Sequence, residues 1–167
     1  MVGIKILKDK IRKNKILYTI LKVPYFPFKL GHYCKNYKTN KQITKENYLS
    51  LSKIAPNENN IFFFGVPRHL NIGDMAQTYS TIKWIKEHYP NKNIITINTA
   101  PLSYSKFTEL LKKKILTSNL IFIQSGYCSH EKHPDHKMHK IVVENFLKNR
   151  IIILPQTVNI KSIKELK

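Results

Sequence analysis

Acid is scarce in this chain. Over 167 residues, 10 Asp+Glu face 29 Lys+Arg, a formal charge of +19 at pH 7. That excludes an acidic, solvating protein and makes anionic partners the ones to test. Arginine is scarcer still, with only Arg12, Arg68 and Arg150 beside abundant Ile, Asn and Lys. Those three abundant residues are what A/T-rich codons supply, so part of the basicity reflects codon usage. The two cysteines, Cys34 and Cys128, form no C-x-x-C pair and no disulfide framework. A reducing compartment follows. No apolar run approaches the ~18–20 residues of a membrane span, and Lys8, Asp9, Lys10, Arg12, Lys13 and Lys15 interrupt any signal-peptide core. The expected location is the cytoplasm. G-x-G-x-x-G, G-K-[ST] and G-x-S-x-G are all missing. Their absence removes the dinucleotide fingerprint, the P-loop and the nucleophile elbow.

What is present divides near residue 60. Hydrophobic residues at 42% and charged residues at 23% suffice for a packed core. Residues 1–60 carry 13 basic and 3 acidic residues, whereas 61–167 carry 16 and 7 over almost twice the length. Residues 1–22 read as a lysine-rich helix, ended by Pro24 and Pro27 within the aromatic patch Tyr25, Phe26 and Phe28. Residues 31–60 read as a tether with a short helix over 43–54. This is a basic helical N-terminal extension.

From Ile61 the pattern changes. Ile61-Phe62-Phe63-Phe64 is a continuous apolar run stopped by Gly65, as in a buried parallel strand. A helix is expected from Asp74 as N-cap, with Gln77 completing a capping box, to Tyr89-Pro90. Strands follow at 94–97, 120–124 and 151–154, with helices at 107–116 and 137–148. Strand and helix alternate about four times, so the predicted class is α/β, a Rossmann-like parallel sheet over 61–167. Residues 159–167 read as the opening of another helix. A doubly wound sheet usually has five or six strands, so this one is expected to be incomplete at its C-terminal side.

Ligands of such sheets bind beyond the carboxyl ends of the strands. Three loops qualify, at 65–73, 125–136 and 155–159. In the first, Gly65 and Gly73 allow close backbone approach, Arg68 suits a carboxylate or phosphate, and His69 titrates near neutral pH. Asp74 at the helix start argues against a phosphate there. Alone, this loop reads more readily as a structural turn with its cap than as a ligand loop. The second carries His130, His133, His136 and His139 at a spacing of three. On a helix such steps drift about 60° each, and Pro134 breaks a helix across them. No metal site is expected; a polar, substrate-facing loop is.

Residues 61–76, ending in Asn71-Ile72-Gly73-Asp74-Met75-Ala76, resemble the opening of the polysaccharide pyruvyl transferase family. Its members follow an apolar strand with a G-x-P-x-H-like turn and an N-[LI]-G-D-x-A helix start. Later, Ile151-Ile152-Ile153-Leu154-Pro155-Gln156-Thr157 resembles the family's strand ending in P-Q-[ST]. Where the family has a glycine-rich turn after its third strand, this chain reads Gln124-Ser125-Gly126-Tyr127.

The resemblance covers about residues 61–162 and implies one half of a GT-B-like enzyme, twice as long when complete. The chain is then expected to be a truncated form, inactive by itself. The implied activity moves pyruvate from phosphoenolpyruvate onto a sugar or lipid-linked oligosaccharide in surface or exopolysaccharide synthesis. It implies Arg68 and His69 as catalytic residues, and Gly65, Asn71, Gly73, Asp74, Ser125, Gly126, Gln156 and Thr157 as substrate-binding ones. No cofactor and no metal are implied. The competing reading is a non-catalytic basic module, resting on an anionic membrane surface through residues 1–30 or on a partner subunit. Nucleic acid is not the expected partner, since no nucleic-acid-binding signature accompanies the basic residues.

Overall fold

The computed structural model describes residues 25–67, 71–129 and 133–158. The expected helix over 1–22 and the helix opening at 159–167 lie outside the described residues. So do the side chains of Tyr25, Phe26 and Phe28. The chain divides into two units, Met1–Lys41 and Gln42–Lys167. All packing below belongs to the second.

Helix α1 (Tyr25–Lys53) is one continuous element, where the sequence predicts a break at Pro27 and a tether. Pro27 is the third residue of the helix. There a backbone N–H has no intrahelical acceptor, so its loss costs nothing. Toward its C-terminal end, Ile43 and Leu51 are buried, while Tyr48 and Leu49 are exposed.

The rest alternates as predicted. β1 (Asn60–Phe64), α2 (Ile72–His88) and β2 (Asn93–Ile97) are followed by a 3-10 turn at Ala100–Ser103 and by α3 (Ser105–Lys114). Then come β3 (Leu120–Ile123), β4 (Gly126–Ser129), α4 (Pro134–Asn145), β5 (Arg150–Ile153) and β6 (Gln156–Val158). Four parallel strands form one sheet in the order β2-β1-β3-β5, and β4 and β6 form a separate parallel pair. The architecture is α/β and Rossmann-like. No helix of the described residues is long and apolar enough to cross a membrane.

Right-handed crossovers settle which helix covers which face. The step from β1 to β2 runs one way along the sheet, and the steps to β3 and β5 run the other. Accordingly Ile61, Phe63 and Phe122 pack with Ile82 and Ile85 of α2. Phe62, Phe64, Ile121 and Ile123 pack on the opposite face with Phe107 and Leu111 of α3, Met138 and Val142 of α4, and Leu51 of α1. The alternation follows from the period of two in a strand. Burial on both faces explains why β1 is apolar from Ile61 to Phe64. Each of its three buried phenylalanines contributes ~1.5–3 kcal/mol.

The amino end of the sheet is closed by amides. Asn119, 1% exposed, accepts from Leu116 N at 2.8 Å and donates to Asn57 O at 2.8 Å. Asn149 donates to Leu116 O at 2.7 Å and Asn119 O at 3.0 Å. Asn60 donates to Ala55 O, and Lys114 Nζ to Ser52 O and Ile54 O. These bonds join the connections before β1, β3 and β5.

Candidate functional site

The chain leaves β1 toward one face and β3 toward the other, so the topological switch point of the sheet, where such folds form their ligand crevice, lies between their carboxyl ends. Gly65 follows β1 there and is buried. Its φ of 82° is a left-handed conformation that favours glycine. A Cβ there would lie 2.9 Å from Met138 Cε and 3.2 Å from Gln124 Cβ. Gly65 N and Val66 N both donate to Ile97 O, at 2.9 and 3.3 Å. Asn98, just past β2, donates to Val66 O at 2.6 Å and accepts from Asn47 at 3.1 Å. The first loop thus leaves the sheet on fixed supports.

Arg68 and His69 lie outside the described residues. Beyond them, the start of α2 differs from expectation. The N-cap is Asn71, not Asp74: Asn71 Oδ1 accepts from Gly73 N at 3.0 Å. Asn71 takes the cap because its extended backbone brings that oxygen to the second N–H of the helix. Asp74 stands in the first turn, where a carboxylate suits the positive end of the helix. Gln77 does not close a capping box; its Oε1 accepts from Ser125 Oγ at 3.2 Å. That bond joins the first loop's helix to the loop after β3.

The segments after β3 and β5 are not plain loops. Gly126, with φ 147°, opens β4 and pairs with Gln156 at the start of β6. Gly126 N donates to Pro155 O at 3.2 Å, and Gln156 Nε2 donates to Gln124 O at 2.6 Å and Leu154 O at 3.0 Å. Thr157 is exposed one position further along. Of the residues predicted to bind substrate, the structure brings Gly65, Ser125, Gly126 and Gln156 to the carboxyl ends of β1, β3 and β5. Asn71, Gly73 and Asp74 stand together at the start of α2.

The histidine segment is also reshaped. Pro134 opens α4 rather than breaking it, since the first helical position tolerates proline. His133 is its N-cap, accepting from Asp135 N at 3.3 Å. His130 lies outside the described residues. Among those described, no three His, Cys, Asp or Glu side chains are disposed to hold a metal ion. Burial pushes the His139 imidazole below its ordinary value. Asp135 pulls it up, and His136 and His133 push it further down.

Two features escaped the sequence reading. One is a cleft of about 280 Å³ along the edge strand β2, lined by Glu46, Asn47, Leu51, Ile95 and Asn98 among others. It shares none of the predicted residues. The other is a set of buried polar atoms with no hydrogen-bond partner: both ends of the Gln124 carboxamide, His139 Nε2 and Gln156 Oε1. Gln124 is only 5% exposed. Its place in the sequence, large and polar where the similar family turns on glycine, was the available signal.

Residues 71–167, more than half of the chain, match the family model for polysaccharide pyruvyl transferase. No curated protein matches.

Proposed function

The chain belongs to the polysaccharide pyruvyl transferase family, and from that premise we propose that it takes part in moving pyruvate from phosphoenolpyruvate to a sugar of a surface polysaccharide. The observation that carries this reading is the family match, which spans both the Asn71–Ala76 helix start and the Pro155–Thr157 segment. The family implies a pyruvate donor and a sugar or polysaccharide acceptor.

The chemistry makes defined demands. Two acceptor hydroxyl oxygens bond to C2 of phosphoenolpyruvate, the enol carbon C3 gains a proton and becomes a methyl, and the bond from C2 to the phosphate oxygen breaks. One hydroxyl proton balances the methyl and the other leaves with phosphate. Cations must hold the donor's carboxylate and phosphate, and an acid and a base must move the two protons. On this reading Arg68 holds the donor, and His69 carries a proton to or from the reacting centre. Both follow Gly65 in sequence, three and four residues on. Asn71, Gly73 and Asp74 present the start of α2 to the substrate, and Ser125, Gly126, Gln156 and Thr157 line the far side. The resemblance implies that a second Rossmann-like half contributes to the site, and residues 1–167 without such a half are expected not to turn over.

The test is phosphate release from phosphoenolpyruvate in the presence of acceptor glycan, in a longer relative carrying the same motifs. Replacing the residue that matches Arg68 by alanine is expected to lower kcat/KM by ~10²–10³, and that matching His69 by ~10²–10⁴. Unchanged turnover in both would remove these roles. Robust phosphate release from the isolated chain would contradict the need for a second half.

A further inference from the structure

Two glutamines meet near the switch point without completing their hydrogen bonds. Gln124 ends β3 with its carboxamide buried and both polar atoms unpartnered. Gln156 spends its NH₂ on Gln124 O and Leu154 O, which fixes its orientation, since both partners are acceptors. Its Oε1 is left buried and unmet. On α4, the His139 Nε2 is also buried and unmet. Buried polar groups in folded proteins are nearly always paired, and each exception calls for a reason. All four such atoms among the described residues belong to these three side chains.

We propose that Gln124 and Gln156 form a neutral subsite that holds the hydroxyl groups of the sugar acceptor. The chemistry of the unmet atoms selects the ligand class. Gln124 offers a donor and an acceptor, and Gln156 an acceptor. Sugar hydroxyls both donate and accept, so neighbouring hydroxyls satisfy such a set. A phosphate or carboxylate does not, because the glutamine oxygens repel it and neither side chain is a cation. The identity of the ligand as acceptor rests on the pyruvyl-transfer reading; its polarity rests on these atoms alone.

The test is saturation-transfer NMR on the full 167-residue chain with the methyl glycosides of glucose, galactose, mannose and N-acetylglucosamine. At least one glycoside is expected to bind, and Gln124→Met and Gln156→Met are each expected to weaken it about tenfold, the cost of one lost buried hydrogen bond. Gln124→Met is also expected to keep or raise the melting temperature, since it replaces an unmet amide by an apolar chain of similar size. No binding by any of the four, or equal binding by the variants, would overturn the proposal. So would a lowered melting temperature of Gln124→Met, the mark of an amide that holds the fold through water. Phosphoenolpyruvate in the same experiment reports separately on the pyruvyl-transfer reading. Its binding should survive both glutamine variants, and loss of its binding in them would reassign the subsite to the donor.

Discussion

The two ends of the parallel sheet bury the same kind of side chain and treat it in opposite ways. At the amino end, the carboxamides of Asn119 and Asn149 bond to backbone groups of neighbouring connections. At the carboxyl end, Gln124 is buried with no partner and Gln156 with only its NH₂ engaged. A satisfied amide adds ~0.5–1.5 kcal/mol, whereas an unmet one costs ~1–3 kcal/mol. One end of the sheet therefore stabilises the fold. The other stores unmet hydrogen bonds at the end where we propose that the sugar binds, and the same strands serve both ends.

Breaking the amino end should have the largest effect. Asn119→Ala strands Leu116 N and Asn57 O in a buried site and is expected to cost about 2–4 kcal/mol, read as a lower urea midpoint. At the carboxyl end, Gly65→Ala is next. It forces a left-handed backbone and a 2.9 Å approach to Met138, expected to cost about 1–3 kcal/mol and to narrow the crevice. Gln124→Met should fall within about 1 kcal/mol of the parent, on the stabilising side. A loss as large as that of Asn119→Ala would erase the contrast between the two ends.

The smallest effect is on pH dependence. Burial holds the folded His139 pKa below the ordinary 6.5, Asp135 opposing and His136 and His133 adding to it. The unfolded chain thus takes up this proton first. Stability from this group is full above about pH 6.5, falls as the pH drops below it, and levels off beneath the folded value. His139→Gln should make the decline in stability on acidification shallower; an unaltered slope would show that the imidazole titrates freely.

Much of this fold was legible because it is local. The run Ile61–Phe64 announced a strand buried on both faces, and 61–64, 94–97, 120–124 and 151–154 all became strands within a residue or so. The errors arose where local signals tie. Asn71 and Asp74 are both good caps, and only the backbone geometry decides for Asn71. Pro27 and Pro134 read as breakers, yet each falls in a first turn that tolerates proline. The strands β4 and β6 are four and three residues long and exist through pairing across 30 residues of sequence, which no period reveals. The candidate site was legible in part for the same reason. Gly65, Ser125, Gly126 and Gln156 stood out as residues of the loops that such sheets use. Gln124 matters because of what it fails to touch, and hydrogen-bond satisfaction is a tertiary property.

The contrast between the ends is tested most directly by the side-chain NH₂ resonances of one ¹⁵N spectrum, recorded while the glycoside that binds best is added. The account predicts that the Gln124 and Gln156 resonances shift saturably and those of Asn119 and Asn149 stay in place. Movement of all four together, or of the asparagines alone, would contradict it.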